Sequence, residues 1–421
     1  MPAAPEQCVI FVGGRGTRLG ELTASTPKPL LNVDGRPFLS YLLHEAARFG
    51  FRRVLLLAGY RAEAVLEFAK ANNGDRGIEI SVVCEETPLG TGGALWAAAD
   101  RLDDEFLLLN GDSWLDFNWL APCQRGLAEP SAAIAMALRQ VADGGRYGAV
   151  TLRDGQVTAF RERGTPGEPA LVNGGVYFCR KEFVVTGGAG SSLEQHILPA
   201  LAQQGRIVGD EYAGFFIDIG VPDSFEAAQT LVPARLHRPA AFLDRDGVLN
   251  HDSGYVCRID QFAWIEGAGK AVRRLNEAGY YVFVVTNQAA VARGYCSIAD
   301  VEDLHRWMAA ELRGLGSHID DLRYCPFHEQ GVVAEFRKAS DWRKPAPGML
   351  LDLMQNWPVE REKSFLIGDK ESDHEAASAA GVASYDFPGG NLDRYVEEIL
   401  GNRATPITKQ SPGATAAALP R

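Results

Sequence analysis

Short apolar runs alternate with helical patterns twice along this chain, and that alternation most narrows what it can fold into. CVIFVGG, RVLLLAGY, IEISVVCE and FLLLNGDS read as strands, separated by helices predicted near 38–49, 62–72 and 91–101. Such repetition builds a parallel sheet with helices on both faces. From 131 to 180 the pattern shifts to strands with hairpin turns, SAAIAMALRQ, GAVTLRDGQVTAFRER and LVNGGVYFCR. A helix near 192–203, the strand GFFIDIG and a helix over about 222–230 follow. LVPARLHRPA, with two prolines and little periodicity, reads as a linker. A second alternating series then runs through AAFLDRDG, YYVFVVTNQ, DLRYCPF and SFLIGDK, with helices between. The expected fold is α/β, with two doubly wound domains over 1–234 and 238–402. The tail over 403–421, rich in Pro, Ala and Thr, is expected to be disordered.

At 421 residues, 46% hydrophobic and 23% charged, the chain has material for two or three domains with separate cores. A net charge of −12 argues against a general nucleic-acid binder but leaves room for local phosphate sites. No apolar run approaches the ~20 residues of a membrane span. The start, MPAAPEQCVIFVGG, lacks the regions of a signal peptide. The seven cysteines are scattered without a C-x-x-C pair, which fits reduced thiols in the cytoplasm.

Two glycine- and carboxylate-bearing segments carry the first chemistry. FVGGRGTRLG follows a strand, with Gly13, Gly14, Arg15, Gly16 and Arg18 in the loop. Glycines let backbone N–H groups approach a phosphate, and an arginine fork can add two hydrogen bonds. A tight turn without ligand is the plain alternative, and the dinucleotide spacing is not met. Lys28 lies between two prolines in TPKPLL, and Asp112 (LLLNGDS) and Asp218 (FFIDIG) sit at strand ends. Two carboxylates brought together by the fold are what a magnesium ion takes from protein. Either one alone is commonly a helix cap or turn residue.

In order, GGRGTRL, PKPLL, PLGTGGAL, NGD, NGGVY and FIDIG resemble the sugar-1-phosphate nucleotidylyltransferases over roughly 7–232. Within that group the chain is most similar to heptose-1-phosphate guanylyltransferases and their mannose-1-phosphate relatives, with a Rossmann-like sheet. The resemblance implies that a sugar phosphate oxygen attacks the α-phosphorus of a nucleoside triphosphate, with GTP favoured. It further implies that Gly13, Gly14, Arg15, Arg18 and Lys28 hold the triphosphate and that Asp112 and Asp218 hold Mg²⁺. Glu86, Gly90 and Thr91, in the loop through Gly93, would lie near the base. Glu162, Arg163, Asn173 and Gly174 would face the sugar phosphate. Arg163 stands where many members have lysine, which keeps the charge and changes the geometry.

FLDRDGVLN raises a second chemistry. Asp244 and Asp246 follow a buried strand, two residues apart, so one carboxylate can attack phosphorus while the other handles the proton. An acidic loop is the bland alternative; a calcium loop would need a helix, not a strand, before it. Thr286 and Asn287 end the strand VFVVTNQ as phosphate donors, Arg343 and Lys344 precede a proline-led helix, and SFLIGDKESD supplies Asp369, Lys370 and Asp373. These four motifs resemble the haloacid dehalogenase superfamily over about 240–390, and motifs one and two lie too close for a large cap. The resemblance implies Asp244 as nucleophile, Asp246 as acid/base, Thr286 and Lys344 as phosphate ligands, and Mg²⁺ on Asp244, Asp369 and the Asp246 carbonyl.

DRDGVLNHDSGYV, TNQAAVARG, YCPFHEQG and EFRKASDWRKPAPGML look like the D-glycero-D-manno-heptose 1,7-bisphosphate 7-phosphatases, with histidinol phosphatases as cousins. Arg293 and Arg343 would then grip the second phosphate or hydroxyls. Relatives carry a zinc loop C-x-H…C-x-C; here Cys325 remains, but Phe327, Ser340 and Trp342 stand at the other three positions. His328 alone cannot complete a four-ligand site, so no structural zinc is expected, and Phe327, Phe336 and Trp342 are expected to pack the loop. The implied partners are a nucleoside triphosphate and heptose phosphates, without nucleic acid or membrane; a homo-oligomer stays open. One chain would run consecutive steps toward an activated heptose for cell-surface glycan or a heptose-containing metabolite. The alternatives are the same chemistries on another sugar or a small phosphomonoester, or a scaffold without turnover.

Overall fold

The computed structural model describes residues 4–404 and Pro406. Apart from Arg403, Ala404 and Pro406, the tail expected to be disordered lies outside them. Two compact units divide the chain: one runs to Leu236 and includes Glu311–His318, the other takes His237–Ala310 and the chain from Ile319.

The first unit begins as four parallel strands, β1 (Gln7–Phe11), β2 (Arg53–Ala58), β3 (Glu79–Cys84) and β4 (Glu105–Asn110), ordered β3-β2-β1-β4. The helices α1 (Phe38–Arg48), α2 (Ala62–Asn72) and α3 (Gly90–Ala97) connect them. Successive side chains point to opposite faces, so Ile10, Leu56 and Leu109 join one core while Val9, Leu57 and Leu108 join another. Both faces of β1, β2 and β4 are covered, which is why those strands read as continuous apolar runs.

Next come β5 (Ser113–Leu115), α4 (Leu120–Ala128), β6 (Ile134–Val141), β7 (Ala149–Arg153), β8 (Gln156–Arg161) and β9 (Ala170–Arg180). After α5 (Leu198–Gln203), β10 (Ile207–Glu211), β11 (Phe216–Asp218) and α6 (Pro222–Ala234) complete the unit. β9 runs antiparallel to β4 and extends the sheet, among the described residues, to nine strands: β3-β2-β1-β4-β9-β6-β10-β8-β7. β11 pairs separately with β5, Asp218 opposite Ser113. Two readings change. RIVGDE, not anticipated as a strand, forms β10 beside β6, with only Ile207, Val208 and Gly209 buried. LVPA, read as linker, is the last turn of α6, which carries Pro233 near its end.

The second unit contains β12 (Ala240–Leu243), α7 (Ala268–Glu277), β13 (Tyr281–Asn287), α8 (Ile298–Gly314) as far as Ala310, and β14 (Asp321–Cys325). It continues with α9 (Gly348–Asn356), β15 (Phe365–Gly368), α10 (Glu371–Ala380), β16 (Ala383–Asp386) and α11 (Leu392–Leu400). The five strands are parallel in the order β14-β13-β12-β15-β16. α7 buries Ala268, Ala271, Val272 and Leu275, the spacing of one helical face. The chain order reverses direction at β12, so its carboxyl end beside β15 is a topological switch point, where open α/β sheets bind ligands. Among the described residues, no helix is long and apolar enough to cross a membrane.

Candidate active sites

The carboxyl ends of β1, β2 and β3 open a cleft of about 500 Å³ in the first unit. Gly13, Gly14, Arg15, Glu86, Gly90 and Thr91 line it together with Tyr60. A Cβ on Gly13 would lie 3.0 Å from the amide nitrogen of Gly59, so only glycine lets the loop pass this close to the end of β2. Gly90 opens α3 at φ +76°, and a Cβ there would sit 2.4 Å from the Ser191 carbonyl oxygen. The Thr91 hydroxyl donates to Glu194 at 2.9 Å and accepts from the Leu193 amide at 2.7 Å, fixing this helix start. Arg15 stacks 6.0 Å from the Tyr60 ring centre, while Arg18 is exposed on the same loop.

Lys28 and two aspartates from distant strands meet. Lys28 Nζ lies 2.5 Å from Asp112 Oδ2. Asp218 comes to the same place: the Cβ that Gly220 lacks would be 2.3 Å from Asp218 Oδ1 and 2.9 Å from Lys28 Nζ. Burial and then the charge of Asp112 push the Asp218 carboxyl above its ordinary range, and Lys28 pulls the other way. Two carboxylates against one ammonium leave negative charge that a divalent cation would offset, so the residues fit one.

The expected sugar-phosphate residues are spread more widely. Asn173 and Gly174 sit where the register of β9 against β6 shifts, a bulge that re-aims the strand. Asn173 donates to the Tyr177 hydroxyl and accepts from the Gly175 amide at 2.9 Å. Glu162 and Arg163 are exposed beyond β8, Glu162 accepting from Gln195 at 3.1 Å.

In the second unit a cavity of about 560 Å³ sits at the switch point and is lined by Asp244, Asp246, Thr286, Asn287, Lys344 and Asp373. Lys344 is buried, with Nζ 2.9 Å from Asp244, 2.6 Å from Asp373 and 2.8 Å from the Val285 carbonyl oxygen. Asp244, Asp369 and Asp373 can each offer an oxygen within 4.8 Å of the others. Asp369 Oδ1 is buried without a hydrogen-bond partner. Burial pushes Asp244 up to about 7 and also raises Asp369, with Lys344 and Lys370 opposing. Three carboxylates gathered together, two of them on one buried ammonium and the third with an orphaned oxygen, fit a divalent cation. Gly247, at φ +99°, is required here, since a Cβ would lie 2.2 Å from Asp369 Oδ2.

Asp246 has other surroundings. Its carboxylate accepts from Arg245 Nη2, Asn250 Nδ2 and Gln288 Nε2, each at 2.9 Å. Gln288 also donates to Thr286 Oγ1 at 2.9 Å. Two carboxylates two residues apart, one in a cation-binding cluster and one in a hydrogen-bonded cradle, are suited to different roles. Asn287, read as a phosphate donor, lines the cavity and exchanges hydrogen bonds with the Lys344 backbone at 3.0 and 3.1 Å, which positions that lysine. Arg293 and Arg343 line the cavity with His328; the Arg293 guanidinium lies 5.7 Å from the Tyr255 ring centre, its Nε buried without a partner.

The loop expected to lack zinc is packed by aromatic rings. Phe327 lies 6.0 Å from Phe336, Lys338 caps the Phe327 ring at 4.2 Å, and Phe327 and Trp342 pack on the core around buried Cys325. Burial pushes the Cys325 thiol up.

The Nucleotidyl transferase family profile matches residues 7–234, and the HAD-hydrolase-like profile matches 341–399. The second half is 52% identical over 163 residues to a D-glycero-beta-D-manno-heptose-1,7-bisphosphate 7-phosphatase of Rhodopseudomonas palustris, covering 39% of this chain and 91% of that protein. The protein of that description from Escherichia coli K12 is 45% identical over 146 residues, 35% of this chain and 76% of its own. The chain belongs to the nucleotidyl transferase family, and its second half to that of these phosphatases. A crystal structure of HddC from Yersinia pseudotuberculosis is 28% identical over 53% of this chain and 97% of that one, at a TM-score of 0.46.

Within the nucleotidyl transferase half, the fold joins Lys28, Asp112 and Asp218 from segments far apart in sequence. In the phosphatase half, Asp373 enters the carboxylate cluster, although the motif pattern flagged it only as part of an acidic loop. Gln288 was missed; its place directly after Thr286 and Asn287 was the available signal. For Arg245 the only signal was its place between two aspartates.

Proposed function

We propose that this chain is a bifunctional enzyme that makes a nucleotide-activated heptose. Its second domain, 238–402, removes the 7-phosphate of D-glycero-D-manno-heptose 1,7-bisphosphate. Its first, 1–234, transfers a nucleotidyl group to the heptose 1-phosphate that results. One observation carries the reading: the carboxylates of Asp244 and Asp373 meet the buried Lys344 in a segment spanning 91% of a 7-phosphatase, behind a nucleotidyl transferase domain. The product of the one reaction is the acceptor of the other.

In the phosphatase, an Asp244 oxygen attacks the 7-phosphorus, the bond to the sugar oxygen breaks, and Asp246 gives that oxygen its proton. Asp246 then takes a proton from water, whose oxygen attacks the aspartyl phosphate, releasing phosphate and free Asp244. Lys344 and Thr286 hold the phosphoryl oxygens, and Arg293 and Arg343 meet the far phosphate. In the transferase, the heptose 1-phosphate oxygen attacks the α-phosphorus and pyrophosphate leaves. Lys28 and Arg18 neutralise charge there, and positioning supplies the rest. Mg²⁺ fits Asp112 and Asp218 at one site, and Asp244, Asp369 and the Asp246 carbonyl at the other, with Asp373 beside them; when bound it neutralises charge on phosphoryl oxygens. Family likeness to the heptose-1-phosphate guanylyltransferases favours GTP. The proposed setting is the cytoplasm, and the loop over Cys325–Trp342 is proposed to hold no zinc.

The test is incubation with heptose 1,7-bisphosphate, Mg²⁺ and an equimolar nucleoside triphosphate mixture, with products identified by mass spectrometry. GDP-heptose is expected, and Asp244→Asn should abolish it from the bisphosphate while leaving transfer to added heptose 1-phosphate. Absence of turnover in both assays would overturn the heptose reading.

A further inference from the structure

The cradle of Asp246 has a second tier. Arg245 is 0% exposed despite its charge. It reaches Asp246 from Nε at 3.2 Å and from Nη2 at 2.9 Å, and Nη2 also donates to the Val256 carbonyl oxygen. Its remaining arm, Nη1, lies 3.0 Å from Nε2 of His305 on α8. A guanidinium has donors only, so His305 Nε2 is the acceptor, and its ring is neutral with the proton on Nδ1. Burial, and then the charge of Arg245, hold that imidazole far below its ordinary range, in keeping with this. The Tyr324 ring packs edge-on at 5.5 Å and fixes the ring's plane.

Asn250 and Gln288 already satisfy the Asp246 carboxylate, and a fully buried guanidinium is costly to desolvate. What Arg245 adds is rigidity: a planar fork held at both ends leaves the carboxylate one orientation. We propose that His305 is a positioning residue for the phosphatase reaction, setting through Arg245 the orientation in which Asp246 delivers its proton to the leaving sugar oxygen. The inference rests on the reading of Asp246 as acid/base.

The full-length protein and its variants test it with two substrates. Asp246→Asn should lose nearly all hydrolysis of the sugar bisphosphate; normal turnover would sink the acid/base reading itself. His305→Leu should lower kcat on the sugar bisphosphate roughly 10–100-fold with KM within about twofold, the share expected of a misplaced acid. His305→Gln, whose amide oxygen can accept from Arg245, should recover most of that loss. Single-turnover release of p-nitrophenol from p-nitrophenyl phosphate should fall less than about threefold in His305→Leu, because that leaving group needs no proton. Arg245→Lys, which cannot grip both ends, should show the same split and carries the test should His305→Leu fail to fold. Inactive Asp246→Asn with unchanged His305→Leu, or equal losses on both substrates, would overturn the proposal.

Discussion

Lys344 Nζ lies 2.6 Å from a carboxylate oxygen of Asp373, and both side chains are almost wholly buried. With Asp244 on its other side at 2.9 Å, this lysine is the central cation of the phosphatase cluster. Lys344→Met should therefore strand two buried carboxylates and destabilise the second unit by about 3 kcal/mol. Adding Asp373→Asn should restore part of that stability, since the two changes share one interaction. Denaturant midpoints of the single and double variants check this; additive losses would count against it.

In the transferase site, Asp218→Asn removes one of two carboxylates that meet at Lys28. Nucleotidyl transfer should drop roughly 100–1000-fold, the scale of losing a main electrostatic contributor. Phosphate release from the bisphosphate should continue at the wild-type rate. Loss of both activities would mean that Asp218 serves folding and not the site.

The aromatic loop over Cys325–Trp342 should hold no zinc. Elemental analysis of chelator-washed protein is expected to find well under one zinc per chain, and the chelator should leave the melting temperature unchanged, because a tetrahedral site needs four ligands. Stoichiometric zinc would contradict the packing of Phe327 and Phe336 as the loop's support.

His305 is held down to about 3, first by burial and then by Arg245, with the Tyr324 ring packed against it at 5.5 Å. An unfolded histidine takes up its proton near pH 6.5. Below that pH the unfolded chain gains a proton that the folded site refuses, so stability is lost progressively as pH falls from about 6.5 toward 3. Urea midpoints at pH 7 and pH 5 should differ less in His305→Gln than in the wild type. An equal difference would show that this imidazole does not contribute to the acid limb.

The strand-end motifs were legible because a parallel sheet puts its chemistry at carboxyl termini, where an apolar run stops at Asp112, Asp244, Thr286 or Asp369. Other features were hidden for physical reasons. β10 buries only Ile207, Val208 and Gly209 before charged residues, too short a run to stand out. Pro233 suggested a break, yet near the end of α6 it removes only one late hydrogen bond. The hold of His305 on Arg245 depends on how α8 packs, which no periodicity encodes.

The phosphatase sheet also has a consequence for how the chain folds. β12, which leads into Asp244, the proposed nucleophile, pairs on one side with β13 from Tyr281 and on the other with β15, reached only at Phe365. Closing that longer loop costs entropy before its contacts repay it, so the sheet should fold slowly and finish late. During synthesis Asp244 leaves the ribosome well before Asp369 and Asp373 exist, and a chain stopped short of β15 would carry Asp244 with none of the carboxylates that gather beside it.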